Sequence, residues 1–306
     1  MLTVMERLRD GLAGFSATER RVAHRILAEY PVAGLQSASD LARETGVSAP
    51  TVLRLVARIG FASYPDFQRV MREELAAQLS SPLNKPPPRR PRQGANPGSW
   101  LQSYVAKIES NLHETFDHLP TAEFERVAGL LADRRRRLHL IGGRFTDALA
   151  QYLSVQLRIV RPGVDHLRDQ EANWHDRVLD MGRRDALVIF DIRRYQPGLL
   201  RLAEAAARRQ VDVVLITDQW LSPISRVASH VLPARVEALS VWDSSVALMA
   251  LTEALLAEAT RRQWEEGQKR MRALETIRAE AAAVVPAEPA ARASGVSARR
   301  TTAKTR

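Results

Sequence analysis

Cysteine is absent from the 306 residues. That removes disulfides, zinc–thiolate sites and thiol nucleophiles together, and nothing in the chain calls for an oxidising compartment. Long apolar runs are missing too. No stretch of about 18 apolar residues occurs, so neither a transmembrane helix nor a membrane partner is expected. The first 30 residues, "MLTVMERLRDGLAGFSATERRVAHRILAEY", carry charges every few positions. The apolar core of a signal peptide does not fit there, and a cytoplasmic location is the expectation. No motif calls for a cofactor or a metal.

What is present is apolar mass and positive charge. Hydrophobic residues make up 45%, enough for packed cores over most of a length that suits about two domains. The net charge is +10 and the pI is near 10.6, which suits a polyanionic partner. Much of the excess is local. Lys85, Arg89, Arg90 and Arg92 lie in a proline-rich stretch, and Arg299, Arg300, Lys304 and Arg306 lie in the tail. The pI therefore does not by itself point to DNA.

Composition divides the chain. "SSPLNKPPPRRPRQGANPGS" (80–99) holds six prolines and two glycines in 20 residues. It reads as an extended basic linker. From about residue 280 large apolar residues disappear, and 280–306 reads as a disordered basic tail. A helical unit over 1–79 and an α/β unit over 100–270 remain. In the first, Ser16 and Glu19 form a capping box, Val22, Ile26 and Leu27 an apolar stripe, and Pro31 a stop. In the second, apolar runs at 138–141, 187–190, 213–217 and 230–232 alternate with amphipathic helical stretches. That alternation predicts a parallel sheet covered on both faces. A long helix from about Ser99 to Leu119 leads into it. The fold class is thus α + α/β.

Residues 38–64, "ASDLARETGVSAPTVLRLVARIGFASY", divide as helix, tight turn, helix. Small Ala42 lets the helices approach, Gly46 supplies a left-handed end and Val47 plugs the turn. Ser48 is an N-cap, and Pro50 falls in the first turn. Val52, Leu55, Val56 and Ile59 repeat at i, i+3, i+4, i+7. The opposite face then presents Thr51, Arg54 and Arg58, the arrangement of a helix-turn-helix with its recognition helix. Arg54 suits a guanine edge, Ser48 and Thr51 a phosphate or base, and Arg58 and Arg43 phosphates. Charge in this unit is modest, so a homodimer or tetramer on paired half-sites of operator DNA is expected.

Residues 15–75, with "SATERRVAHRIL", "SASDLARETGVSAPTVLRLVARIGF" and "YPDFQRVMREEL", resemble the N-terminal domain of RpiR/MurR-type transcriptional regulators. The resemblance implies a C-terminal sugar isomerase (SIS) domain, a three-layer α/β fold that binds phosphosugars through loops at strand ends. The family's first loop, Gly-x-Gly-x-Ser, falls on "IGGRFTDALA". Gly142 takes the first glycine and Gly143 follows it, Arg144 replaces the second glycine, and Thr146 replaces the serine. The second, Ser-x-Ser-Gly-x-Thr, falls on the end of "ALVIFDIRRYQPG" (186–198). Asp191 and Arg193 replace its serines, Arg194 its glycine and Gln196 its threonine.

Two readings of these substitutions stand open. In one, Arg144, Arg193 or Arg194 bind a carboxylate or phosphate, and Asp191 receives a hydroxyl or amine or orients an arginine. In the other, Asp191–arginine pairs only hold loops or a subunit interface. Thr217 and Asp218 end the third apolar run, where open sheets bind ligands; a turn capped by Ser222 is the alternative there.

Glu171 and His175 stand at i and i+4, but no third ligand accompanies them and no catalytic role is assigned. "DRRRR" (133–137) reads as a solvated helix end. Trp174, Trp242 and Trp264 are expected in a core or interface. The expected function is a non-enzymatic, DNA-binding regulator whose SIS-like domain senses a small anionic or polar metabolite. An SIS-type sugar-phosphate isomerase or binding protein with a helical accessory domain is the alternative.

Overall fold

The structure, a computed structural model, describes residues 2–79 and 99–284. Most of the 80–99 linker and the tail beyond residue 284 lie outside the described residues.

The N-terminal unit contains α1 (Val4–Gly11), α2 (Ala17–Ala28), the short α3 (Val32–Leu35), α4 (Ala38–Thr45), α5 (Ala49–Arg58) and α6 (Tyr64–Leu79). Ser16 and Glu19 close the expected capping box on α2. Gly46 ends α4 at φ +62°, its N–H donating to the carbonyls of Ala42 and Arg43. Val22, Ile26, Leu41, Leu55, Phe67 and Met71 are fully buried and form one core. The hydrophobic faces of the helices thus meet as their 3.6-residue periodicity requires.

Helices α7 (Ser99–Asp117) and α8 (Thr121–Ala132) lead into the second unit. There follow β1 (Arg137–Gly142), α9 (Asp147–Val160), β2 (Val164–His166), α10 (Trp174–Leu179) and β3 (Asp185–Asp191). Then come α11 (Pro197–Arg208), β4 (Asp212–Asp218), β5 (His230–Ala234), α12 (Val246–Arg262) and α13 (Trp264–Val284). Four strands cover the apolar runs. The fifth, β2, has three residues and only one buried position, so no apolar run announces it. "DRRRR" is no simple helix end either: Arg137 opens β1, and Arg136 donates to Asp212.

All strands are parallel, in the order β2-β1-β3-β4-β5. Side chains alternate across the sheet. Leu138, Leu140, Ala186, Val188, Phe190, Val214 and Ile216 enter the core shared with α8, α9 and α12. Ile141, Leu187, Ile189, Val213 and Leu215 enter the core shared with α10 and α11. β3 is buried at every position, as a central strand of a doubly covered sheet must be.

The strand order places a switch point between β1 and β3. The connection after β1 runs outward to β2, and the connection after β3 runs the other way to β4. Their loops separate and leave a crevice at the carboxyl ends, where open α/β sheets bind ligands.

Candidate DNA interface and effector cleft

On α5 the buried stripe is Val52, Leu55 and Val56, continued by Ile59 at its C-cap, and the opposite face carries exposed Arg54 and Arg58. Thr51 departs from expectation. It is 5% exposed, and its hydroxyl lies 3.0 Å from Ser48 Oγ and accepts from Arg54 Nη2 at 3.0 Å. One residue of helix is 100°, which turns Thr51 inward and brings Leu53, 46% exposed, onto the outer face beside Arg54. Ser48 is the N-cap by backbone geometry but makes no side-chain cap bond. Arg43 is the freer cation, 76% exposed with Asp40 as partner. Arg58 is anchored on α2 by Glu19 at 3.1 Å. Backbone and hydroxyl bonds from Ser16, with Arg58 beside it, hold that carboxyl below its ordinary range.

In the second unit the two switch-point loops line a cleft of about 290 Å³, a ligand-sized space. Gly143, Arg144, Thr146, Asp191, Arg193, Arg194 and Gln196 all border it, together with Phe145 and Tyr195. Gly142 lies behind them. A Cβ there would stand 2.4 Å from the Asp147 nitrogen, so only glycine allows α9 to start so close to β1. The floor is heavily self-bonded. Gly142 N donates to Asp147 Oδ1 at 3.0 Å, and Gly143 N to Thr146 Oγ1 at 2.9 Å and Phe190 O at 2.9 Å. The Thr146 hydroxyl donates to Phe190 O at 2.6 Å. Asp191 is 2% exposed. It accepts from Gln196 N at 3.3 Å and from the Ser222 hydroxyl at 2.5 Å. Burial pushes its carboxyl up to about 6.

Arg193 does not offer its guanidinium to the cleft. It forks onto Asp243 and donates to the Ala77 carbonyl of α6 at 3.1 Å. Its guanidinium carbon stands 4.6 Å from the Trp220 ring centroid. Its backbone N–H donates to Asp218. Asp218 is fully buried and also accepts from the Tyr195 hydroxyl at 2.9 Å and from Trp220 N at 3.0 Å. Burial pushes it up to about 7. Thr217 is fully buried, its hydroxyl on Asp191 O. Arg193, Thr217 and Asp218, expected to meet a ligand, instead brace the cleft loop.

Arg144 and Arg194 remain at the mouth, both exposed. Their guanidinium carbons stand 5.2 Å and 6.0 Å from the ring centroid of Phe145. Among the described residues neither has a carboxylate partner. Arg194 takes φ +65°, the left-handed backbone that a side chain makes costly by about 1–2 kcal/mol. Trp242, expected in a core or interface, is 56% exposed and lies edge-on to Phe145 at 6.0 Å. It lines a neighbouring cavity of about 290 Å³ that shares Phe145, Ile192, Arg193 and Arg194. Trp264 is also half exposed, while Trp174 is buried as expected. Glu171 is taken by Arg201 at 2.7 Å and reached by Gln196 at 3.4 Å. No bond joins it to His175 among the described residues.

The sequence reading misses the residues that join the units. The loop after β4 holds the cleft floor through Asp218 and Ser222, while Leu221, at φ +58°, is 4% exposed within the core of the helical unit. Arg235 pairs with Glu6 at 3.0 Å, and Thr3 Oγ1 meets Gln219 O at 3.5 Å. "TDQWLSPIS" placed the loop at a strand end, but nothing local marks Leu221 as an anchor in another unit.

A helix-turn-helix unit joined in this way to an α/β unit with a ligand-sized cleft defines a ligand-sensing transcriptional regulator. Residues 130–258 match the SIS domain, and residues 2–78 match the helix-turn-helix domain of the rpiR family. The HTH-type transcriptional regulator HexR of Escherichia coli (strain K12) is 28% identical over 236 residues, 74% of this chain and 76% of its own length. The chain thus carries a helix-turn-helix domain of the rpiR type followed by a SIS domain.

Two solved structures share its fold. The sugar isomerase domain of the RpiR transcription factor from Sphaerobacter thermophilus is similar at TM-score 0.54 and 22% identity, over 57% of this chain and 98% of that one. NanR of Vibrio vulnificus, in complex with ManNAc-6P, is similar at TM-score 0.51 and 19% identity, over 90% of this chain and 98% of that one. No helix among the described residues is long and apolar enough to cross a membrane.

Proposed function

We propose that this regulator binds operator DNA through α5 and changes that binding when a small metabolite occupies the cleft between the Gly143–Thr146 and Asp191–Gln196 loops. The observation that carries the reading is the double attachment of the cleft. Arg193 ties one cleft loop to the end of α6. The loop after β4 braces the same cleft loop and seats Leu221 among the helices. An effector that moves Arg193 or Asp218 must therefore bind the two arrangements of the helical unit unequally, which is what switching requires.

On DNA, Arg54 is the base-reading residue, Arg43 and Arg58 face phosphates, and Ser48 lies where α5 meets the groove. The protein acts by binding and not by turnover, in the cytoplasm, as a homodimer or tetramer on paired half-sites. Glu171, the carboxylate considered for proton transfer in the isomerase alternative, is engaged by Arg201. In a mobility-shift assay Arg54→Ala is expected to weaken operator binding by about 1–3 kcal/mol, the value of one bidentate base contact. Unchanged affinity would remove that residue from the interface. Isomerisation of a sugar phosphate by the purified chain, abolished by Glu171→Gln, would favour the enzyme.

A further inference from the structure

We propose that Asp191 is a built-in anion at the floor of the cleft, so that the effector lies with its anionic end at Arg144 and Arg194 and its hydroxyl end toward Asp191. The ligand class is a polyol carrying one carboxylate or phosphate at its far end. The assignment rests on the reading of this cleft as the effector site.

Three independent features of the cleft agree. First, the floor has already filled its anion position. Asp191 accepts hydrogen bonds from the N–H of Gln196, the N-cap of α11, and from the hydroxyl of Ser222. A helix N-terminus favours one negative charge, and here the chain supplies it. Second, four donors near Asp191 are engaged elsewhere. The amides of Gly142 and Gly143, the Thr146 hydroxyl and the amide of Arg193 all bond to the protein itself. Among the described residues no arginine pairs with Asp191; Arg193 is held by Asp243. A second anion on this floor would face a buried, uncompensated carboxylate, where like charges repel strongly. A hydroxyl has no such cost, since each carboxylate oxygen accepts more than one hydrogen bond. Third, the positive charge that a ligand can reach lies at the other end. Arg144 and Arg194 flank Phe145 at the mouth, without a carboxylate partner among the described residues. Guanidinium forks suit carboxylates and phosphates.

The full-length protein is titrated calorimetrically with inorganic phosphate, glucose 6-phosphate, gluconate and uncharged sorbitol. Wild type is expected to bind at least one of the two anionic polyols at least tenfold more tightly than sorbitol. Which one it prefers separates a phosphate from a carboxylate end. Arg144→Ala/Arg194→Ala is expected to lose that preference. Asp191→Asn keeps the shape of the floor and removes its charge. It is expected to act in opposite directions, tightening inorganic phosphate at least tenfold while weakening the anionic polyol. Asp191→Ser serves the same comparison if the amide variant does not fold, as judged by circular dichroism.

Phosphate affinity unchanged by both Asp191 variants would overturn the built-in anion. Polyol binding that survives the double arginine variant, or no binding of either anionic polyol to wild type, would overturn the orientation and the class. Failure of a bound polyol to alter operator binding would count instead against the effector role of the cleft.

Discussion

Replacing Arg193 tests the connection between cleft and DNA-binding unit directly. Its side chain is 5% exposed and that of Asp243 is 16% exposed, so the pair is largely shielded from water. Removing one member of a buried pair costs about 3–5 kcal/mol. Asp243 keeps some contact with water, which places Arg193→Ala at about 3 kcal/mol on that scale. Loss of the guanidinium from the face of Trp220 adds about 1 kcal/mol. At about 2–4 °C per kcal/mol for a domain of this size, Tm should fall by roughly 8–16 °C.

Urea denaturation followed by tryptophan fluorescence reads the loss, because Trp220 lies against the deleted group. A cycle of Arg193→Ala, Asp243→Ala and the double variant isolates the pair, and a coupling of about 2–3 kcal/mol is expected. Coupling below about 0.5 kcal/mol would mean that the pair is not what holds this loop, and the proposed route to α6 would lose its anchor. Arg193→Lys keeps the charge but not the fork, and should recover only part of the stability.

Three other expectations follow from single residues. Arg194→Gly relieves a left-handed side chain but frees the unfolded backbone; the balance is a gain of about 0.5–1 kcal/mol, and equal or lower stability in denaturant would contradict the strain. Gly142→Ala forces a Cβ against the start of α9 and should cost at least about 1–3 kcal/mol, read as a lower midpoint in urea. Burial raises Asp218 from its ordinary 3.8 to about 7, so the folded protein holds this proton more tightly than the unfolded chain. Its contribution is present in full below about pH 4 and is lost as pH rises through about 7. Stability measured from pH 4 to 7 should decline less steeply in Asp218→Asn, and an identical slope would show that Asp218 does not titrate there.

The helix-turn-helix was legible because its requirements are local. A small residue at Ala42, a left-handed glycine at Gly46 and a 3.6-residue apolar stripe on α5 each act within a few positions. The same period erred only where one residue decided a face, turning Thr51 inward and Leu53 outward. The four apolar strands were legible because a doubly covered sheet needs continuous apolar runs; β2 was not, because an edge strand with one buried residue needs none. Alignment with the family's loops located the cleft, and Gly143, Arg144, Asp191, Arg194 and Gln196 do border it.

What the linear chain could not decide was the partner of each charge. "DIRRYQ" presents one carboxylate and two guanidinium groups with no order among them. Asp243, 50 residues away, engages the Arg193 guanidinium, and Ser222 with the N-terminus of α11 holds Asp191 on the floor. Arg194 is left at the mouth with Arg144. Leu221 crosses into the helical core for the same reason. Local periodicity and backbone preference act over a few residues and determined the elements by themselves. Ion pairing and burial act between groups that only folding brings together, and they decided which charges face the cleft and which tie it to the helical unit.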